Sequence, residues 1–162
     1  MLLGKVIALA ALREGRQLSW IPSYGAAMRG GTAYCMVIIS DEKIASAYTD
    51  KCDTLFAFNL PSWKKFQPRL RNAGLILLNS TLAEGISRPK GIKLLKAPFT
   101  RIASELGDLR TANMVALGAY LAEKRILKRA SVLEVFKEIA PGNKPHLLRI
   151  NQKALDKGYN LV

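Results

Sequence analysis

The sequence predicts an α/β fold: three layers, with a largely parallel sheet flanked by helices. Three observations predict it. Short apolar runs of the length of buried strands recur through the first hundred positions. Segments with helical spacing of apolar residues interrupt and follow them. With 162 residues, 49% of them hydrophobic, the chain has material for one domain with a real core.

Taken in order, residues 2–14 have a helical pattern that stops at Gly15, a good C-terminal breaker. Residues 17–22 form an expected strand ending at Pro22. Residues 33–39 are an apolar run with Val and Ile, as in a buried strand, and Asp41-Glu42 closes it as a turn. A further strand is expected over 53–58. Pro61 then opens a helix, as proline does in a first turn, and Asn72-Ala73-Gly74 is expected to end it. Leu75 to Asn79 reads as a buried strand, 80–91 as a loop and 92–97 as a strand stopped by Pro98.

The remainder reads as helical. A short helix is expected from Thr100 to Leu106, ended by Gly107. A longer one spans Thr111 to Arg125, with Met114, Val115, Leu117, Gly118, Leu121 and Ala122 on one face. Gly118-Ala119 would permit close approach of another element. Ser131 with Glu134 matches a capping box, placing a helix from there to about Ala140. Pro145 starts the last helix, expected to reach about Lys157 ahead of Gly158. Such an order is Rossmann-like, and in these sheets function gathers at loops beyond the strand carboxyl ends.

One loop stands out. Pro22 to Thr32 carries three glycines, Gly25, Gly30 and Gly31, around a single guanidinium, Arg29, with no carboxylate near it in sequence. Glycine lets backbone take φ > 0 and come close to another group. An ordinary crossover loop is the alternative reading. The loop follows a strand, where the carboxyl-end rule would put function.

Composition excludes several classes. No apolar run approaches the ~20 residues of a membrane span. The opening residues resemble a leader, but Lys5 interrupts the apolar stretch. Arg13-Glu14-Gly15-Arg16 also stands where a small-residue cleavage site belongs. The expected location is the cytoplasm. The net charge is +13, and residues 88–162 hold fifteen Lys/Arg against six Asp/Glu. That excess implies an acidic partner. Nucleic acid fits poorly: the basic residues are dispersed, aromatics are not interleaved with them, and no recognition motif is present.

The chemistry is as telling by what is missing. Two cysteines, Cys35 and Cys52, are too few for a cluster held by four thiolates. With His146 they make poor material for zinc. Cys35 reads as a small buried hydrophobe and His146 as a first-turn helix residue. There is no G-x-G-x-x-G, no G-x-x-x-x-G-K-[ST] and no G-x-S-x-G. No catalytic residue is expected on this chain.

At this point the residues resemble a known family. Ser19-Trp20-Ile21-Pro22-Ser23-Tyr24-Gly25, Met28-Arg29-Gly30-Gly31-Thr32-Ala33, Cys35 and Val37-Ile38-Ile39-Ser40 are similar to the gamma subunit or domain of 2-oxoacid:ferredoxin oxidoreductases. The likeness continues through Leu60-Pro61-Ser62, Gly74-Leu75-Ile76, Asn79-Ser80, Ala112-Asn113-Met114, Leu117-Gly118-Ala119 and Asn151 to Gly158. One departure concerns the start. The family opens with a short strand and a Gly-x-Gly-Gly-Gln-Gly turn, whereas Met1 here falls inside the first helix. The expectation is a single gamma domain over 1–162, with that strand and turn missing before residue 1.

The resemblance implies oxidative decarboxylation: a 2-oxoacid and coenzyme A become acyl-CoA and carbon dioxide, with electrons passed to ferredoxin. Thiamine diphosphate, magnesium and iron–sulfur clusters would lie on partners, namely thiamine-binding alpha and beta subunits and a ferredoxin-like delta subunit. Contact between two gamma chains is compatible with it. This chain would serve assembly, with coenzyme A contact open. Its cofactor-binding or interface candidates are Tyr24, Gly25, Arg29, Gly30, Gly31, Thr32 and Asn113. Capping is the leading structural role for Asn113. The alternative is an autonomous module binding coenzyme A or a nucleotide.

Overall fold

Helix α1 (Leu2–Arg13) is rich in alanine and leucine, both strong helix formers. In the computed structural model, which describes residues 1–25, 32–83, 85–139 and 145–162, it is buried almost all round. Leu3, Gly4, Val6, Ile7, Ala8, Ala10 and Ala11 are all buried. Gly15, at φ 75°, ends it: the Gly15 and Arg16 N–H groups donate to the Leu12 and Ala11 carbonyls. This is the Schellman arrangement that glycine permits.

Helix α1 belongs to the first of two compact units, Met1–Thr49 with Arg125–Leu148. Its sheet is a hairpin of β1 (Gln17–Tyr24) and β2 (Ala33–Ser40), antiparallel from Gln17↔Ser40 to Tyr24↔Ala33. Trp20, Pro22, Cys35 and Val37 share one face, since cross-strand partners point the same way. Helix α1 packs there: a Cβ on Gly4 would overlap the Cys35 sulfur and come within 3.3 Å of Val37. Helix α5 (Arg129–Ile139) completes the unit against α1. Arg13 pairs with Glu138 at 2.6 Å, and Glu14 accepts a 2.7 Å hydrogen bond from the Lys128 N–H.

The second unit comprises Asp50–Lys124 and Arg149–Val162. Three parallel strands form its sheet in the order β3 (Cys52–Ala57), β4 (Leu70–Asn79), β5 (Lys93–Ala97). Central β4 is buried from Gly74 to Asn79, matching its continuous apolar run. On one face α2 (Leu60–Phe66) sets Trp63 against Ala57, Ile76, Leu78 and Ala83. On the other, Phe56 meets Tyr120 of α4 (Ala112–Lys124) edge-on, with centroids 5.2 Å apart. Helix α3 (Phe99–Glu105) joins β5 to α4, with a 3₁₀ turn at Leu109–Thr111 between the helices. Helix α6 (Pro145–Tyr159) ends the chain. Within this unit the expected helix–sheet–helix layering of an α/β fold is observed.

The parallel pairing expected of the sheet is found in β3–β5, whereas β1 and β2 form a separate antiparallel pair. Three expectations need correction. The helix after Pro61 stops at Phe66, not at Gly74. Pro68 supplies no N–H to continue it, and residues 70–74 instead begin β4. There the register jumps from Cys52↔Leu70 to Thr54↔Leu75, with Ala73 at φ 61° in the irregularity. Ser131 is no cap, because α5 begins two residues earlier at Arg129. Gly158 does not end α6 but lies inside it. A Cβ there would overlap the Val115 carbonyl of α4. The close approach expected at Gly118 is present, and α6 is the element that makes it.

Candidate functional site

The hairpin end is built by pairing. Tyr24 lies opposite Ala33, and the Gly25 N–H donates to the Thr32 carbonyl at 2.9 Å. That bond closes the strand ladder and sets the origin of the glycine-rich connection. Tyr24 is 70% exposed at this end, while Thr32 is half-buried. Arg29, Gly30 and Gly31 lie outside the described residues. The sixteen residues of β1 and β2 include no charged side chain, in a chain where charged residues are 23%. Depletion of charge with retention of aromatics is the compositional mark of an interface core.

Asn113 belongs to the second unit, as the second residue of α4. Its Oδ1 is buried without a hydrogen-bond partner, so it caps nothing. The capping work before α4 is done by Asp108, whose carboxylate accepts from the Arg110 N–H at 2.9 Å. An unsatisfied buried acceptor is costly and calls for a reason.

The carboxyl edge of the parallel sheet carries a polar frame that sequence reasoning noted only as strand and loop ends. Asn79 ends β4 and is fully buried. Its Nδ2 donates to the Phe58 carbonyl at 3.1 Å and to Thr100 Oγ1 at 2.8 Å; its Oδ1 accepts from the Thr100 N–H at 3.2 Å. Asn59 caps α2 by accepting from the Ser62 N–H at 2.8 Å. Thr81 Oγ1 accepts from the Arg101 N–H at 3.3 Å. These side chains tie the ends of three strands to the elements that follow. An asparagine directly after Leu77-Leu78 was the available signal, since an amide can both donate and accept at a strand end.

Some titratable groups among the described residues are shifted by their surroundings. Burial, then the Asp53 carboxylate, pushes the Cys52 thiol up, with Arg69 and Arg71 opposing. A raised thiol is a poor nucleophile. Hydrogen bonding to Lys137 holds Glu134 below the usual carboxylate range, but that pair is on the surface. His146 is exposed in the first turn of α6. Among the described residues no three His, Cys, Asp or Glu side chains are grouped to hold a metal. Two thiols cannot supply a four-thiolate cluster. Among the described residues no helix is long and apolar enough to cross a membrane.

A family model for pyruvate ferredoxin/flavodoxin oxidoreductase matches residues 1–161. The chain belongs to this family. Among curated relatives, the ketoisovalerate oxidoreductase subunit VorA of Methanothermobacter marburgensis is 39% identical over 120 residues, which is 74% of this chain and 25% of that one. The chain thus spans about a quarter of that relative's length. The gamma subunit of a keto/oxoacid ferredoxin oxidoreductase from Geobacter sulfurreducens superposes with TM-score 0.82 at 26% identity, covering 99% of this chain and 89% of that one. A 2-oxoglutarate:ferredoxin oxidoreductase from Magnetococcus marinus, solved with 2-oxoglutarate, coenzyme A and succinyl-CoA bound, gives TM-score 0.88 at 26% identity. That match covers 99% of this chain and 28% of the other. Family members therefore carry this fold both as most of a separate subunit and as part of a longer polypeptide.

Proposed function

We propose that this chain is the gamma subunit, or gamma domain, of a 2-oxoacid:ferredoxin oxidoreductase, and that its work there is assembly. The reaction would convert a 2-oxoacid and coenzyme A to acyl-CoA and carbon dioxide, passing two electrons to ferredoxin. The observation that carries this reading is a family match along residues 1–161 joined to a fold shared with a free-standing gamma subunit. Thiamine diphosphate, magnesium and the iron–sulfur clusters would reside on companion chains in the cytoplasm: thiamine-binding alpha and beta subunits and a ferredoxin-like delta subunit. Choice of 2-oxoacid would rest with the thiamine-binding chains.

The hairpin end is the docking element in this reading. Tyr24 is an exposed aromatic at the tip of an uncharged ribbon, a residue type enriched at interface anchors. Arg29, which lies between the two strands in sequence, is the charged candidate, because a guanidinium forks onto a carboxylate or a phosphate. Gly25, Gly30 and Gly31 are candidates by residue type, since glycine permits close backbone approach, and Thr32 is the neighbouring candidate.

The test is co-expression with companion oxidoreductase subunits. The lone chain should show no 2-oxoacid oxidation. The assembled complex should turn over, and Arg29→Ala should melt like wild type while weakening assembly or turnover. Turnover by the lone chain would overturn the proposal. Coenzyme A binding by the lone chain, without any companion retained, would favour the autonomous module instead.

A further inference from the structure

The basic excess of the second half is unexplained by the hairpin. On α6, Ala154 and Leu155 are fully buried and Gly158 is packed on α4. That packing turns Arg149, Lys153 and Lys157 to solvent, and all three are exposed. Their spacing of four residues puts them one above another in a single stripe. Two turns separate the ends, about 12 Å.

With 25 Lys/Arg against 12 Asp/Glu the chain cannot pair every cation, and some of those elsewhere do have a carboxylate. Lys137 pairs with Glu134, Lys93 with Glu123, Arg110 with Asp108, Arg71 with Asp53 and Arg16 with Asp41. Among the described residues, Arg149, Lys153 and Lys157 have no such carboxylate. Asp156, the one acid of α6, is half-buried. Like charges one turn apart repel along a helix. An outward stripe of this kind lowers the stability of the isolated helix and is relieved when opposite charge covers it.

We infer that the Arg149–Lys153–Lys157 face of α6 is a second docking surface, whose occupant is an acidic patch on a companion subunit. The inference rests on the subunit reading above and names a contact separate from the hairpin. Charge argues for it: with a net charge of +13, a second copy of this chain would be repelled. A membrane is a poorer fit, because the apolar side of the helix is already packed on α4. A nucleic acid is a poorer fit, because no aromatic stands between the cations.

The experiment co-expresses the tagged full chain with its companion oxidoreductase subunits. Wild type is compared with the triple variant Arg149→Gln, Lys153→Gln, Lys157→Gln, and with Lys137→Gln as a surface-charge control. A carbodiimide, which joins amines directly to carboxylates, followed by mass spectrometry maps the contacts. The expected result is cross-links from Lys153 and Lys157 to Asp or Glu of a companion. At about 150 mM salt, where charges still act over ~8 Å, the triple variant should bind that companion about tenfold more weakly, the sum of three exposed ion pairs. Its melting curve should lie at or slightly above that of wild type, because the like-charge repulsion is removed, and that of the control should match wild type. Equal retention by wild type and triple variant, without those cross-links, overturns this inference alone. No companion held even by wild type overturns the subunit reading and this one with it. Affinity for a short DNA duplex that is lost in the triple variant, with companion binding unchanged, would assign the stripe to nucleic acid and overturn it also.

Discussion

Gly118 of α4 lies against the carbonyl of Leu155 on α6, with no room for a methyl group between them. A Cβ there would also come within 2.7 Å of the Tyr159 nitrogen. Gly158 makes the reciprocal contact on the Val115 carbonyl. Both obstacles are backbone, which cannot rotate aside as a side chain can. Alanine in place of Gly158 gains about 1 kcal/mol of helix propensity, but overpacking costs about 1–3 kcal/mol or more. The clash should win. Gly158→Ala should lose about 2 kcal/mol and lower the melting temperature by roughly 4–8 °C. A calorimetric scan in which the variant melts at or above wild type would show that the two helices separate freely.

Asn79 should be costlier to lose. It is fully buried and holds the Phe58 carbonyl, the Thr100 hydroxyl and the Thr100 N–H. Asn79→Ala strands these groups away from water, at about 2–4 kcal/mol. Asn79→Asp keeps an acceptor but removes the donors and buries a charge, so its loss should be larger at neutral pH and ease in acid. Urea midpoints at two pH values test both. Near-wild-type midpoints would mean that other groups hold the three loops.

Gly118 and Gly158 also show what was legible in the sequence. Gly118 was readable because it lies within an apolar helical face beside Ala119. Gly158 was misread as a terminator because nothing local reports that Val115 of another helix presses on it. The false end at Asn72-Ala73-Gly74 has the same origin. Turn-forming residues there serve an irregularity in a strand, where Gly74 avoids the Arg71 carbonyl. The apolar runs of β2–β5 were legible because burial writes itself directly into composition. The antiparallel pairing of β1 with β2 was not, since composition fixes burial and leaves strand direction open. Of the candidate site, Tyr24 was readable as the last residue before the glycine-rich segment, whereas the orphan Asn113 Oδ1 depends on packing and was not.

Helix α5 offers a paired prediction. Its sequence signature, Ser131 with Glu134, does no capping, because Glu134 turns to Lys137 at 2.7 Å. The N–H of Lys128, just before the helix, is bound instead by Glu14 from the end of α1. Ser131→Ala should therefore change stability by no more than about 0.5 kcal/mol. Glu14→Ala should cost about 1 kcal/mol, the usual loss for a helix N-terminal acceptor. Equal effects in denaturant titrations would contradict the assignment.

Cys52 gives a pH-dependent test whose sign follows from its surroundings. Burial raises its thiol above the ordinary 9.0, the Asp53 charge raises it further, and Arg69 and Arg71 pull the other way. The folded state therefore holds this proton more tightly than the unfolded chain does. The associated stability is fully present below the unfolded thiol value and is lost as pH rises through the higher folded one. Stability should thus decline above about pH 9 in wild type, and less so in Cys52→Ala. At pH ~8.5 the native thiol should alkylate more slowly than the same residue in urea, where more thiolate is present. Asp53→Asn removes the like charge and also frees Arg71 from its 3.2 Å pair, so alkylation should accelerate. Arg71→Gln should slow it. Iodoacetamide labelling resolved at Cys52 by mass spectrometry reads all three rates, and an Asp53→Asn protein that reacts more slowly than wild type would reverse the electrostatic assignment.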